Sequence, residues 1–203
     1  MIAIVDYGMG NLRSVQKACA FLGYEAILTP NSADLDAAER IILPGVGAFP
    51  QAIEQLKALG LDKKLQSLAF CKPMLGICLG MHLFFGASTE GGYHTGLSLL
   101  EGEVSLFQTQ LKVPHMGWNE VHVKKNALFN GLPKTFYAFF VHSYRVAQMP
   151  QPFVAATTQY GETFVCAAQK GNLFATQFHP EKSGAAGLAI LKNFLEYEGE
   201  SVC

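Results

Sequence analysis

Short aliphatic runs recur along the first half of the chain and alternate with stretches of helical period. Ile2-Ala3-Ile4-Val5 is unbroken apolar sequence, as expected of a strand buried on both faces in a parallel sheet. Leu12, Val15, Ala18, Cys19 and Leu22 follow at helical spacing, and Gly23 suits the end of that helix. Residues 25–29 predict a second strand and residues 40–43 a third. Strand, helix, strand in this rhythm predicts βαβ units. Ile53, Leu56, Leu59 and Leu61 then predict a helix, and Leu65, Leu68 and Phe70 another, each with a core-facing stripe. Residues 73–77 read as a buried strand and residues 81–85 as a helix start.

The second half changes rhythm. Residues 86–93 read as a polar, glycine-rich loop. Short strands are predicted at 104–107, 120–123, 136–140, 154–157, 165–168 and 173–176, several of them antiparallel. Tyr160-Gly161 and Lys170-Gly171-Asn172 mark turns. A final helix over 185–197 places Leu188, Leu191, Phe194 and Leu195 on one face. The expectation is an α/β fold with an open, largely parallel central sheet flanked by helices, plus additional antiparallel strands. With no repeat or linker, residues 1–203 read as a single domain.

Composition narrows the function. Half the residues are hydrophobic and 15% are charged, which excludes a disordered chain. The net charge is −1 with no long basic block, so neither nucleic acid nor an anionic membrane is an expected partner. The N-terminus has no basic n-region, and no apolar run approaches the ~20 residues that span a bilayer. The cysteines are Cys19, Cys71, Cys78, Cys166 and Cys203, an odd count without a C-x-x-C pair. That pattern suggests free thiols in a reducing cytoplasm, and no metal site is expected.

The stretch Gly76-Ile77-Cys78-Leu79-Gly80 joins the predicted strand to the predicted helix. Strand, G-x-C-x-G, helix is the nucleophile-elbow pattern with sulfur in place of hydroxyl. The turn is too tight for side chains at the flanking positions, and a sulfur at a helix N-terminus is favoured as reactive thiolate. The same residues also fit a buried cysteine beside two ordinary glycines. A cysteine nucleophile needs a base, and the base needs an orienting partner. Of six histidines, only His179 has a carboxylate at a same-face offset, in His179-Pro180-Glu181. Pro180 pushes His179 toward extended geometry, where residues i and i+2 point the same way. A packed structural histidine fits H-P-E as well. His115 and His142 read as hydrogen-bonded structural histidines. Pro44-Gly45-Val46-Gly47 offers a loose backbone that can present N–H groups to an oxyanion, or simply a strand-to-helix loop. Glu90 suits either an ammonium group or solvent.

Together these three motifs resemble the triad-type (class I) glutamine amidotransferases. Residues 6–12 (D-Y-G-M-G-N-L), 114–119 (P-H-M-G-W-N) and 140–144 (F-V-H-S-Y) extend the resemblance to the glutaminase subunits of imidazole glycerol phosphate synthases. The likeness runs from Met1 to about Phe194. It implies a flavodoxin-like class I fold and glutamine hydrolysis without a cofactor. Cys78 would form a glutamyl thioester, with His179 as acid and base and Glu181 orienting it. The backbone N–H groups of Val46 and Leu79 would meet the oxyanion, and glycines at 45 and 47 would make a flip at Val46 sterically cheap. Glutamine would lie near Gly47, His82, Glu90, Ser143 and Tyr144. The resemblance also implies a heterodimer with a (β/α)8-barrel cyclase. That partner receives ammonia and converts PRFAR to imidazole glycerol phosphate and AICAR. Asn11, Trp118, Asn119 and Lys182 would form the interface, with Trp118 in a loop between Gly117 and Asn119.

One position departs from the family pattern. Members usually carry glutamine four residues after the nucleophile, where this chain has His82. The departure leaves room for a paralogue supplying ammonia to a different synthase, for example one forming an amidino sugar. Further alternatives are a catalytically silent binding subunit and a peptidase.

Overall fold

A computed structural model describes residues 1–124 and 126–199. Chain order is β1 (Ile2–Val5), α1 (Leu12–Phe21), β2 (Ala26–Thr29), α2 (Ser32–Ala37), β3 (Arg40–Gly45), α3 (Phe49–Ala58) and α4 (Leu61–Leu68). Then come β4 (Met74–Cys78), α5 (Leu79–Phe84), β5 (Phe85–Ser88), β6 (His94–Thr95), β7 (Leu100–Leu106), β8 (His115–Val123) and β9 (Thr135–His142). The chain continues through β10 (Tyr144–Gln148), β11 (Val154–Tyr160), β12 (Glu162–Lys170), β13 (Leu173–Thr176) and α6 (Gly184–Glu196).

The strands form one mixed sheet in the order β2-β1-β3-β4-β13-β12-β10-β7-β5-β6. From β2 through β13 every neighbouring pair is parallel. Beyond β13 the pairing of β12, β10 and β7 turns antiparallel. Strands β8, β9 and β11 extend from β12 as a further antiparallel layer. The expected α/β fold, with a parallel centre and added antiparallel strands, is the one observed.

Why the first run has no polar position is visible in β1. Ile2 and Ile4 enter one core with Val15, Cys19, Leu191 and Phe194, and so sit under α1 and α6. Ala3 and Val5 enter a second core with Leu35, Leu56, Leu65 and Leu83, on the side of α2, α3, α4 and α5. Alternate side chains of one strand point to opposite faces, so a sheet covered on both sides needs apolar residues throughout.

Several expectations need correction. Gly60 adopts a left-handed φ of 66° and separates α3 from α4, so Leu61 begins the second helix. Leu59 and Phe70 are exposed and lie outside these helices. Phe85, read as helix, and residues 86–88, read as loop, form β5, which pairs with β6 and β7. Strand β8 begins at His115 and therefore contains Trp118, which is in a strand and not a loop. α2, β6 and β10 were not foreseen; α2 buries only Leu35, so it carries no apolar period to read. Cys19, Cys78 and Cys166 are free thiols, but Cys71 is disulfide-bonded, so the expectation of free thiols fails there. Cys203 lies outside the described residues. Among the described residues no helix is long and apolar enough to cross a membrane.

Candidate active site

Cys78 ends β4 and caps α5 with φ 55° and ψ −108°, a conformation that is costly for any residue with a side chain. The bend survives because its surroundings admit nothing looser. A Cβ on Gly80 would overlap the Leu43 carbonyl oxygen, and one on Gly76 would come 2.7 Å from the Gly80 carbonyl oxygen. Both glycines are thus fixed by close backbone approach, as the elbow pattern anticipates.

Sheet register brings the remaining groups to this bend. In the β3–β4 ladder Gly45 stands opposite Cys78, so Val46 emerges beside the sulfur. The Tyr7 hydroxyl donates to the Pro44 carbonyl at 3.0 Å and fastens that segment. Burial, reinforced by the nearby Cys78, pushes the Tyr7 pKa well above its usual value. In the β13–β4 ladder Thr176 stands opposite Ile77. The chain leaving β13 as Gln177, Phe178 and His179 therefore passes the nucleophile position at once.

His179 is extended, as expected before proline, but Pro180–Lys182 is a 3-10 turn and not a continued strand. The tight turn, and not i,i+2 alternation, brings Glu181 back to the imidazole. Glu181 Oε1 lies 2.8 Å from His179 Nδ1, with the two side chains 1% and 2% exposed. A carboxylate accepts only, so Nδ1 carries the donated proton. Nε2 is buried and has no hydrogen-bond partner among the described residues. Burial works against the charged imidazole, but the Cys78 sulfur and the Glu181 carboxylate outweigh it and raise the His179 pKa. Three backbone-directed bonds hold His179 in place. Its N–H donates to the Phe139 carbonyl at 3.0 Å. The Ser183 hydroxyl donates to the His179 carbonyl at 2.7 Å and accepts from the Phe139 N–H at 3.0 Å.

A cavity of about 380 Å³ opens over the sulfur and is lined by Val46, Gly47, Cys78, Leu79, His82, Glu90, Ser143 and Tyr144, among others. It thus gathers the sequence-predicted oxyanion and substrate positions in one place. Glu90 Oε2 accepts from the Phe49 N–H at the start of α3, at 3.0 Å, so this carboxylate is positioned and not loosely solvated. His82 reaches the cavity wall but is only 4% exposed, and its Nε2 lies 2.6 Å from Gln177 Oε1. Burial, only partly offset by Gln177, pushes its pKa down to about 4.

His115 and His142 are structural, as read. His142 Nδ1 lies 2.8 Å from the Tyr144 carbonyl, so that nitrogen must donate. His142 Nε2 then accepts from His115 Nδ1 at 3.0 Å, and His115 Nε2 accepts from Asn119 Nδ2 at 3.2 Å. Both imidazoles are held neutral by burial, His115 with a pKa pushed down to about 4. Asn119 also donates to the Gln159 carbonyl at 2.9 Å. Its side-chain nitrogen is therefore hydrogen-bonded within the chain while the residue stays half-buried at the surface.

The other interface candidates are outward. Asn11 and Lys182 are exposed, and Trp118 is 56% exposed. Trp118 meets the Phe139 ring edge-on at 6.2 Å, and Lys182 Nζ lies 5.9 Å from the same ring. Cross-strand pairs Met116–Val141 and Trp118–Phe139 make one apolar outer face of β8 and β9. Its inner end is the Val141 carbonyl, 3.9 Å from the Cys78 sulfur.

Sequence reasoning missed three contributors. Tyr7 lies inside the D-Y-G-M-G-N-L stretch and Gln177 two residues before H-P-E, but neither carries a charge to mark it. Ser183 acts through backbone bonds that only the fold reveals. Among the described residues no group of histidine, cysteine and carboxylate side chains is placed to hold a metal.

The family profile for class-I glutamine amidotransferases matches residues 3–197. The chain is 50% identical over 197 residues to imidazole glycerol phosphate synthase subunit HisH of Moorella thermoacetica, covering 96% of this chain and 94% of that one. It is 49% identical to the HisH subunit of Rhodopirellula baltica, covering 96% of each. Among solved structures, a glutamine amidotransferase shares the fold with a TM-score of 0.78 at 20% identity, covering 97% of this chain and 98% of that one. The chain belongs to the class-I glutamine amidotransferases, within the group of HisH subunits of imidazole glycerol phosphate synthase.

Proposed function

We propose that the chain hydrolyses glutamine to glutamate and ammonia at Cys78 and passes the ammonia to a partner subunit that uses it in histidine biosynthesis. The observation that carries this reading is the approach of His179 to the Cys78 sulfur just beyond the paired strands β4 and β13, with Glu181 fixing the imidazole from behind. The Cys78 thiolate attacks the side-chain amide carbon, and the carbonyl electrons move onto oxygen. The backbone N–H groups of Val46 and Leu79 receive that oxyanion. One such donor is typically worth about 3 kcal/mol, or more than a hundredfold in rate. His179, charged by the thiol proton, gives that proton through Nε2 to the departing nitrogen, and ammonia leaves. Water then attacks the thioester, His179 takes its proton, and glutamate departs as the thiolate reforms. Glu181 keeps Nδ1 protonated throughout and supports the imidazolium. Gly47, Ser143, Tyr144 and the Glu90 carboxylate surround the space for the amino-acid end of glutamine.

The partner is the (β/α)8-barrel cyclase, which converts PRFAR to imidazole glycerol phosphate and AICAR. The apolar outer face of β8 and β9, with Trp118 at its centre and Asn11 and Lys182 at its margin, receives that subunit. This face ends at the nucleophile, so a docked barrel covers the cavity mouth and keeps ammonia from bulk water. The alternative of a different synthase is not favoured by relatives near half identity over nearly the whole chain. Glutamate release by the chain, measured with and without the cyclase and its ribonucleotide, tests the reading. Stimulation by the cyclase with bound PRFAR is expected; equal inertness in every mixture contradicts it.

A further inference from the structure

Gln177 is fully buried, and neither of its amide ends faces solvent. Its Oε1 lies 2.6 Å from His82 Nε2, and its Nε2 lies 3.9 Å from the Cys78 sulfur. A carbonyl oxygen accepts only, so the neutral His82 must donate from Nε2. With that tautomer the imidazole N–H and the amide oxygen hold one another in this orientation. Rotating the amide by half a turn would set its NH₂ against the imidazole N–H and its carbonyl against the sulfur. Both contacts are repulsive, the second more so when the sulfur is thiolate. His82 therefore keeps an N–H donor aimed at the sulfur.

We propose that Gln177 holds the Cys78 sulfur through an N–H donated to its thiolate form, and that His82 is a positioning residue that fixes the Gln177 amide. This rests on the reading of Cys78 as the nucleophile. It gives His82 a task different from binding glutamine, which its 4% exposure and committed Nε2 already disfavour. The titratable groups around this corner are His179 with Glu181 behind it, Tyr7, His82 and His142, with Glu90 across the cavity. Of these groups, among the described residues, His82 is the one hydrogen-bonded to the Gln177 side chain.

The test is the pH dependence of Cys78 alkylation by iodoacetamide, read on the Cys78 peptide by mass spectrometry, in the full chain with the cavity mouth uncovered, and glutaminase kinetics are read in the complex with the cyclase. Loss of a charge-assisted bond in Gln177→Leu is expected to raise the alkylation midpoint by about one pH unit or more. Glutaminase kcat should fall roughly tenfold with KM little changed. His82→Phe should move the midpoint in the same direction, and His82→Gln should recover most of that shift, because an amide N–H replaces the imidazole donor. The double variant should move no further than Gln177→Leu alone. An unmoved midpoint in folded Gln177→Leu overturns the proposal. So does a His82→Phe effect confined to KM, which would return His82 to substrate binding. If Gln177→Leu fails to fold, the His82→Phe and His82→Gln pair decides by the same midpoint. Alkylation does not require turnover, so this result stands apart from whether Cys78→Ala abolishes glutaminase activity.

Discussion

His179 Nδ1 stands 2.8 Å from Glu181 Oε1, and both side chains are shut away from water. A buried ion pair of this kind is a poor source of stability, because desolvation offsets most of its attraction. Its value lies in the tautomer it selects, which leaves Nε2 on the sulfur side. Glu181→Gln keeps an oxygen that accepts from Nδ1 but removes the charge that supports the imidazolium. Glutaminase kcat is expected to fall roughly 10- to 1000-fold in Glu181→Gln and further in His179→Ala. Steady-state glutamate release measures both. Equal and total loss would assign Glu181 more than orientation.

The elbow glycines make a second prediction. Gly80→Ala places a methyl on the Leu43 carbonyl, whereas Gly23→Ala at φ 87° meets nothing within 4 Å. Gly23→Ala is expected to cost about 1 kcal/mol through backbone strain alone. Gly80→Ala should cost roughly 2 kcal/mol or more, because backbone atoms must shift. Thermal melting of the two variants decides; equal costs would mean that the turn at Cys78 is not tightly packed.

Acid should destabilise the fold through three buried neutral histidines. The pKa values of His82 and His115 are lowered from 6.5 to about 4, and that of His142 is lowered as well, all chiefly by burial. Between pH 6.5 and 4 the unfolded chain binds these protons and the native chain does not. Stability therefore falls as pH drops through that window, by roughly 1 kcal/mol each for His82 and His115 at pH 5.5. His179 has the opposite sign. Its raised pKa adds stability that is complete below 6.5 and is lost as pH rises above it. Urea melts at pH 5.5 and 7 read the balance, with lower stability at pH 5.5 expected. His142→Phe removes one of the three acid-sensitive groups and should flatten the acid limb; an unchanged limb would contradict the assignment.

Much of the fold was readable in the sequence because the parallel strands are continuous apolar runs. What the sequence hides is register. Cys78 and Gln177 are 99 residues apart, and only the pairing of Thr176 with Ile77 puts them side by side. Trp118, between Gly117 and Asn119, reads as loop, yet β9 supplies a distant partner and makes His115–Val123 a strand. H-P-E pointed to the right pair by an extended geometry that holds only for His179. His82 was visible as a departure, but its partner Gln177 was not, since an uncharged amide in an apolar context has no pattern of its own.

The partner face gives a fourth prediction. Trp118 is largely exposed and rests edge-on against Phe139, so truncation removes little from the isolated chain. Trp118→Ala should weaken association with the cyclase by about 2 kcal/mol, roughly thirtyfold, as for a central aromatic anchor. The melting temperature of the isolated chain should barely move. Calorimetric titration and melting check the two halves. Unchanged affinity would place the docking surface elsewhere.

The most direct test is Cys78→Ala in the assembled complex, with imidazole glycerol phosphate formation measured on glutamine and on ammonium salt. Removing only the sulfur at the bend is expected to abolish the glutamine-dependent reaction while the ammonium-dependent reaction continues at the wild-type rate. Product from glutamine at an undiminished rate would contradict the assignment of Cys78 as the ammonia-releasing nucleophile.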